Sequence, residues 1–116
     1  MIERTIAAAN RPAFLSDFSR LHSGALATLR VGGREVIIDR PFRGFSRDRD
    51  GVIVHIGDGV HDLHSAHPVP HVVDVRLRQT NEGFDAAVAM TSRDGTRTQL
   101  QLASPVHADL YDRDVE

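Results

Sequence analysis

Val72-Val73-Asp74-Val75-Arg76-Leu77-Arg78-Gln79-Thr80-Asn81-Glu82-Gly83-Phe84-Asp85-Ala86-Ala87-Val88-Ala89-Met90-Thr91-Ser92-Arg93-Asp94-Gly95-Thr96-Arg97-Thr98-Gln99-Leu100-Gln101-Leu102 is the stretch whose reading decides the fold. Its side chains alternate between apolar and polar, the period of a strand with one buried face. Alternation also fixes which turns are allowed, because a slip of one residue moves every side chain to the other face. Val73, Val75 and Leu77 share one face. A two-residue loop at Glu82-Gly83 sets Leu77 opposite Val88 and Val75 opposite Met90, whereas a three-residue loop would set Leu77 against Ala87. At the next turn a two-residue Asp94-Gly95 loop would bring Gln99 and Gln101 to the apolar face. A three-residue Arg93-Asp94-Gly95 loop with Gly95 left-handed pairs Val88 with Leu100 and Ala86 with Leu102. These choices leave Asp74, Arg76, Arg78, Arg97, Gln99 and Gln101 together on the other face.

Upstream, Ala25 to Val31 and Arg34 to Asp39 flank Gly32-Gly33, a pair suited to a two-residue hairpin. That register sets Leu29 opposite Val36 and Ala27 opposite Ile38 on one face, and Arg30 opposite Glu35 on the other. Val52 to Ile56 is a short apolar run between turn signals and reads as a strand. Val60 to His71 contains Pro68 and Pro70 and reads as an edge strand running into a loop. Only one segment has a helical period. Phe14, Leu15, Phe18 and Leu21 recur at spacings of three and four, which predicts an amphipathic helix near 11–22, with Asn10 as cap, Pro12 in the first turn and Gly24 past the end. The expected architecture is α+β: one N-terminal amphipathic helix packed on a meandering, mostly antiparallel sheet of about six strands, which could curl into a partly open barrel.

At 116 residues the chain suits a single domain over 1–116, with the Asp-rich tail at 108–116 expected to fray. Its hydrophobic (41%) and charged (26%) fractions are those of a chain that folds rather than one that stays disordered. The formal charge of -2, from 14 basic and 16 acidic residues, favours neither nucleic acid nor an anionic membrane. All the basic residues are arginine. No cysteine is present, which excludes disulfides, thiolate metal sites and a cysteine nucleophile. The first residues, Met1-Ile2-Glu3-Arg4-Thr5-Ile6, carry an acid and lead into no apolar run, unlike a secretory signal, so a cytoplasmic protein is expected.

Several blocks, in this order and spacing, resemble a family of small uncharacterised bacterial proteins, a domain of unknown function of about this length. They are Pro12-Ala13-Phe14-Leu15-Ser16-Asp17-Phe18-Ser19-Arg20 with His22 and Gly24, the Pro41-Phe42-Arg43-Gly44-Phe45-Ser46 turn, His64-Ser65-Ala66-His67, Val75 to Thr80, Glu82-Gly83, and Asp94-Gly95-Thr96 running to Ser104-Pro105. That family carries a tryptophan on each side of the helix where this chain has Arg11 and Ala25, and it is more acidic at Ala86, Ala89 and Thr91. The resemblance implies the fold and assigns no activity.

Among constellations with chemistry, His61-Asp62-Leu63-His64-Ser65-Ala66-His67-Pro68-Val69-Pro70-His71 stands out. Imidazole is the commonest protein ligand for transition metals, so His64 and His67, helped by His61, His71 or Asp62, are the candidate metal ligands, and a divalent transition metal is the one cofactor considered. On a straight strand His61 and His67 would lie about 20 Å apart, so a shared site needs a tight turn. Surface histidines on an edge strand and a loop are the plainer reading, with no cofactor. Several histidines (His22, His55, His64, His67, His107) and serines (Ser23, Ser46, Ser65, Ser92, Ser104) could serve a hydrolase, but none lies in a nucleophile-elbow context. A small enzyme with a histidine base ranks below a binding module. Gly57-Asp58-Gly59 and Asp48-Arg49-Asp50-Gly51 read as turns. Arg40, Arg43, Arg47 and Arg49 alternate with Phe42 and Phe45 in what reads as a solvated loop anchored by its phenylalanines, its charge largely offset by Asp39, Asp48 and Asp50. Arg76, Arg78 and Arg97 are the candidate binding residues, for an acidic partner. The leading expectation is a non-catalytic binding or protein-interaction module, self-associating or binding a protein partner, with no role for nucleic acid or membrane.

Overall fold

The computed structural model describes residues 1–57 and 65–106. A short strand, β1 (Ile2–Thr5), and a 3-10 turn at Ala8–Asn10 lead into α1 (Arg11–His22). Seven further strands follow: β2 (Leu26–Val31), β3 (Arg34–Asp48), β4 (Gly51–Ile56), β5 (Ser65–Val69), β6 (Val72–Gln79), β7 (Asp85–Ser92) and β8 (Arg97–Val106). They form one antiparallel sheet in the order β1-β6-β7-β8-β2-β3-β4-β5. The α+β class is as expected, but the strands number eight rather than about six, and the sheet does not close. Sequence reading misses β1 because all four of its residues are exposed, so no buried face marks it.

Two meanders, β2 to β5 and β6 to β8, meet where β2 pairs with β8, aligning Ala27 with Leu102 and Leu29 with Leu100. Phe42, Leu29, Ile56, Met90, Leu100, Val54, Val75 and Val88, from strands of both meanders, are fully buried in one core. Each contributes roughly 1.5–3 kcal/mol relative to exposure, and together they outweigh the weak helix and strand propensities of their segments.

The decisive register is as read from the sequence: Leu77 faces Val88, Val75 faces Met90 and Val88 faces Leu100. The first turn is not. Thr80 and Phe84 close a three-residue loop by the bond from Thr80 N–H to Phe84 O (2.8 Å), and Gln79 faces Asp85. A shift between Gln79 and Arg78 then bulges Ala86, which restores the register a two-residue loop would have given. The same irregularity cancels the expected pairing of Ala86 with Leu102, and Asp85 faces Val106. The Arg93-Asp94-Gly95 loop is as expected, closed by Ser92 N–H to Thr96 O (2.8 Å) with Gly95 at φ 92°. At the other end of β6 a second shift turns Val73 outward and lets Val72 pack on the core in its place.

In the upstream hairpin Arg30 faces Glu35 as expected, joined by an ion pair of 3.1 Å. Beyond it bulges set Leu29 opposite Ile37 rather than Val36, and Ala27 opposite Arg40 rather than Ile38. Val36 and Ile38 are consequently 50% and 56% exposed. β3 does not stop at Asp39. It bends there (φ 50°) and again at Gly44 (φ 144°), runs through the expected turn and solvated loop as strand, and pairs with β4 from Phe42 onward. Phe42 is buried and Phe45 half-buried although they are three apart, because the register shift between Phe42 and Gly44 interrupts the alternation and brings both rings to the core. Gly44 is required, since a Cβ there would adopt a left-handed φ and lie 3.4 Å from Ser19 Cβ.

α1 has the expected boundaries and seats on β3. Ser19 Oγ donates to Leu15 O (2.6 Å) and accepts from Phe45 N–H (2.8 Å). Phe14, Phe18, Phe42 and Phe45 form a ring cluster with centroid separations of 5.0–5.9 Å. The buried stripe is Leu15, Phe18 and His22, while Leu21, about 100° behind His22 on the helix, is exposed. Asn10 makes no side-chain cap bond, because the preceding 3-10 turn already holds it in helical φ/ψ.

Candidate functional site

The expected binding residues do share one face. Arg76 and Arg78 on β6 face Ala89 and Ala87 on β7, which in turn face Gln99 and Gln101 on β8. Both alanines are buried on what alternation makes the polar side, since the long stems of their neighbours cover them. The acidic partner of these arginines lies in the chain itself. Glu3, brought alongside by β1, accepts from Arg76 Nη1 (3.0 Å) and lies within 3.5 Å of Arg78 Nε and 4.0 Å of Arg97 Nη2. Arg76 also donates to Asp74 (2.8 Å). The hydrogen bond from Arg76, with the three guanidinium charges, holds the Glu3 carboxyl below its usual range, and the same bonds raise Arg76.

Of the expected metal ligands, His61, Asp62 and His64 lie outside the described residues. His67 sits half-buried on β5 opposite Val54, on the core-side face of that edge strand. His71 is held at φ 50° with Nδ1 2.8 Å from Asp50 Oδ2, and Arg93 approaches the same oxygen at 3.5 Å. The His71 hydrogen bond is the main cause of a lowered Asp50 pKa. Among the described residues no three His, Asp or Glu side chains gather as a metal group. Of the histidine–serine candidates, Ser46 Oγ and His55 Nε2 are 2.7 Å apart across β3 and β4.

Two features were not anticipated. The first is His22, 3% exposed, whose Nε2 meets Asp85 Oδ2 at 2.7 Å while Gln79 Nε2 donates to Asp85 Oδ1 at 2.9 Å. The spacing of Leu15, Phe18 and His22 is the signal that could have found it. The second is the edge of β3. From Arg34 to Arg40 this strand pairs with β2 on one side, and on the other, among the described residues, no strand joins it before Phe42. That edge borders a cleft of about 390 Å³ lined by Val36, Ile37, Ile38, Arg40, Ile56, Gly57 and Ser65.

Among the described residues no helix is long and apolar enough to cross a membrane. Comparison of the chain with protein-family models, with curated proteins and with solved structures finds no match.

Proposed function

We propose that this chain is a non-catalytic protein-interaction module that takes up an extended segment of a partner protein along the Arg34–Arg40 edge of β3. The half-paired strand carries the reading. Exposed edges are normally blunted, and among the described residues the two ends of the sheet are: β1 has only four residues, and β5 carries Pro68, which has no N–H to offer. The β3 edge has neither device and presents Val36 and Ile38 beside a cleft, as strand-addition sites do.

Charge selects the occupant. Arg34-Glu35-Val36-Ile37-Ile38-Asp39-Arg40 reads alike in both directions. A second copy paired antiparallel about Ile37 would oppose Arg34 to Arg40 and Glu35 to Asp39, like to like, which is destabilising. A partner segment of the opposite order, acid and base flanking three apolar residues and then base and acid, meets each charge with its complement.

A synthetic peptide of that order, titrated into labelled protein, is expected to shift and protect the backbone amides of 34–40. Ile38→Lys should abolish the effect without lowering stability, since Ile38 is already exposed. A peptide with the charges exchanged should bind more weakly. Amides of 34–40 that stay unmoved, or a stable homodimer that occupies this edge in sedimentation, would overturn the proposal.

A further inference from the structure

We infer a second binding site, for a small aromatic anion, in the crevice between the first turn of α1 and the β3–β4 turn. Its walls combine two chemistries. Leu15, Val52 and Val75 supply apolar lining, and Arg11, Arg47 and Arg49 line the same crevice. The volume is about 160 Å³. An apolar cavity of roughly 150 Å³ holds one benzene ring, so the crevice accommodates a single ring and little more.

The arginines differ from those of the polar face in how little of their hydrogen-bonding capacity is used among the described residues. Neither Arg47 nor Arg49 has an ion-pair or hydrogen-bond partner among the described residues, in contrast to Arg76, Arg78 and Arg97 on the polar face. Arg11 gives Nη2 to a backbone carbonyl, Val73 O (2.9 Å), and its Nε is shut off from solvent with no partner. Asp50, the one acid lining the crevice among the described residues, is already engaged by His71 and Arg93. Three arginines, two of them with no partner for the side chain among the described residues, therefore line the crevice beside a carboxylate that is engaged elsewhere. Arg49 holds φ 56° in the two-residue turn, a conformation that glycine adopts at lower cost, and the side chain kept there lines the crevice.

A ring seated against the apolar lining, carrying a carboxylate or phosphate, satisfies both halves of the site. Arginine suits this role because its planar fork donates in pairs to either anion. Sequence reading had set Arg47 and Arg49 in a solvated loop, where their charge would have met only water and the neighbouring aspartates.

Phenyl phosphate and benzoate are the probes, with inorganic phosphate and benzyl alcohol as the anion-only and ring-only controls, followed by amide and methyl shifts in the intact chain. Phenyl phosphate or benzoate is expected to move Leu15, Val52 and Val75 signals and to bind at least about tenfold more tightly than either control. Arg47→Gln with Arg49→Gln should weaken binding by about tenfold or more. Both side chains are exposed and have no partner among the described residues, so the change is expected to leave the unfolding midpoint unaltered. Shifts confined to the arginines, affinity equal to that of inorganic phosphate, or binding unchanged in the double variant would overturn the site. None of these outcomes bears on the β3 edge, which lies on other residues.

Discussion

His22 Nε2 lies 2.7 Å from Asp85 Oδ2, which ties the last turn of α1 to the first residue of β7 across 63 positions of sequence. The imidazole also lies 4.5 Å from the Phe18 ring and is all but inaccessible to water. It serves as a core side chain and a polar anchor at once. Replacing it leaves a cavity beside Phe18 and a half-buried carboxylate short of one donor. His22→Ala is expected to cost about 3 kcal/mol, measured as a lower urea midpoint at unchanged slope. Asp85→Asn, which keeps the shape and can still hydrogen-bond, should cost about 1 kcal/mol.

Acid should unfold the protein through the same pair. Burial alone would raise the Asp85 pKa, but the hydrogen bonds from His22 and Gln79, with the imidazole charge, outweigh it and leave the carboxyl below its ordinary value of 3.8. A depressed folded value means that the contribution is complete above the unfolded pKa and is lost as pH falls through it toward the folded one. Glu3, Asp50 and Asp94 are lowered too and act in the same direction. Stability should hold at neutral pH and decline through and below 3.8. The acid limb of Asp85→Asn should be shallower than that of the wild type, and equal limbs would rule out this carboxylate as a contributor.

Two glycines separate backbone strain from crowding. Gly44→Ala places a side chain at φ 144° and against Ser19, straining the bend and the helix seat together. Gly51→Ala puts a Cβ 2.8 Å from Val69 O and 3.3 Å from Pro70 Cα, both backbone atoms of the neighbouring segment. Each should cost about 2 kcal/mol by thermal or urea unfolding. Amide exchange should tell them apart, with Gly51→Ala loosening β5 and Gly44→Ala loosening α1.

Glu3→Gln tests how much three ion pairs contribute. The arginines around Glu3 are partly exposed, where such pairs are weak and screened by salt. The variant should unfold slightly earlier than wild type at low ionic strength and together with it at high salt. A large difference that survives high salt would mean that β1 is held chiefly by this residue.

What was legible in the sequence followed the buried faces. Val75, Leu77, Val88, Met90 and Leu100 alternate strictly, and their pairing emerged because any slip would have moved them into water. Val36, Val73 and Ile38 are as apolar as those residues, and a pattern of residue types has no means of marking a bulge that turns them outward. The Ala86 bulge was invisible for the opposite reason: it compensates an unexpected loop, so the register was right although the turn was not. β1 and the β3 bend were missed because one has no buried face and the other contains Pro41 and Gly44, the usual signs of a turn. The candidate site was the least legible part. Arg76, Arg78 and Arg97 were placed together correctly, but their acid comes from a strand that had not been anticipated, and the arginines at 47 and 49 gain meaning only beside α1.

The seam between β2 and β8 has a consequence for how the chain reaches this state. Within each meander every pairing is between strands successive in the chain, so these contacts are local in sequence. Thr28 and Gln101, by contrast, meet across more than half the chain, and Ile2 meets Gln79 across slightly more. Closing loops of that length costs entropy before any contact offsets it, and this is the step that slows sheet proteins. The two meanders should therefore form early and dock late, with the seam and β1 absent from the first ordered state and His22 meeting Asp85 only as docking completes.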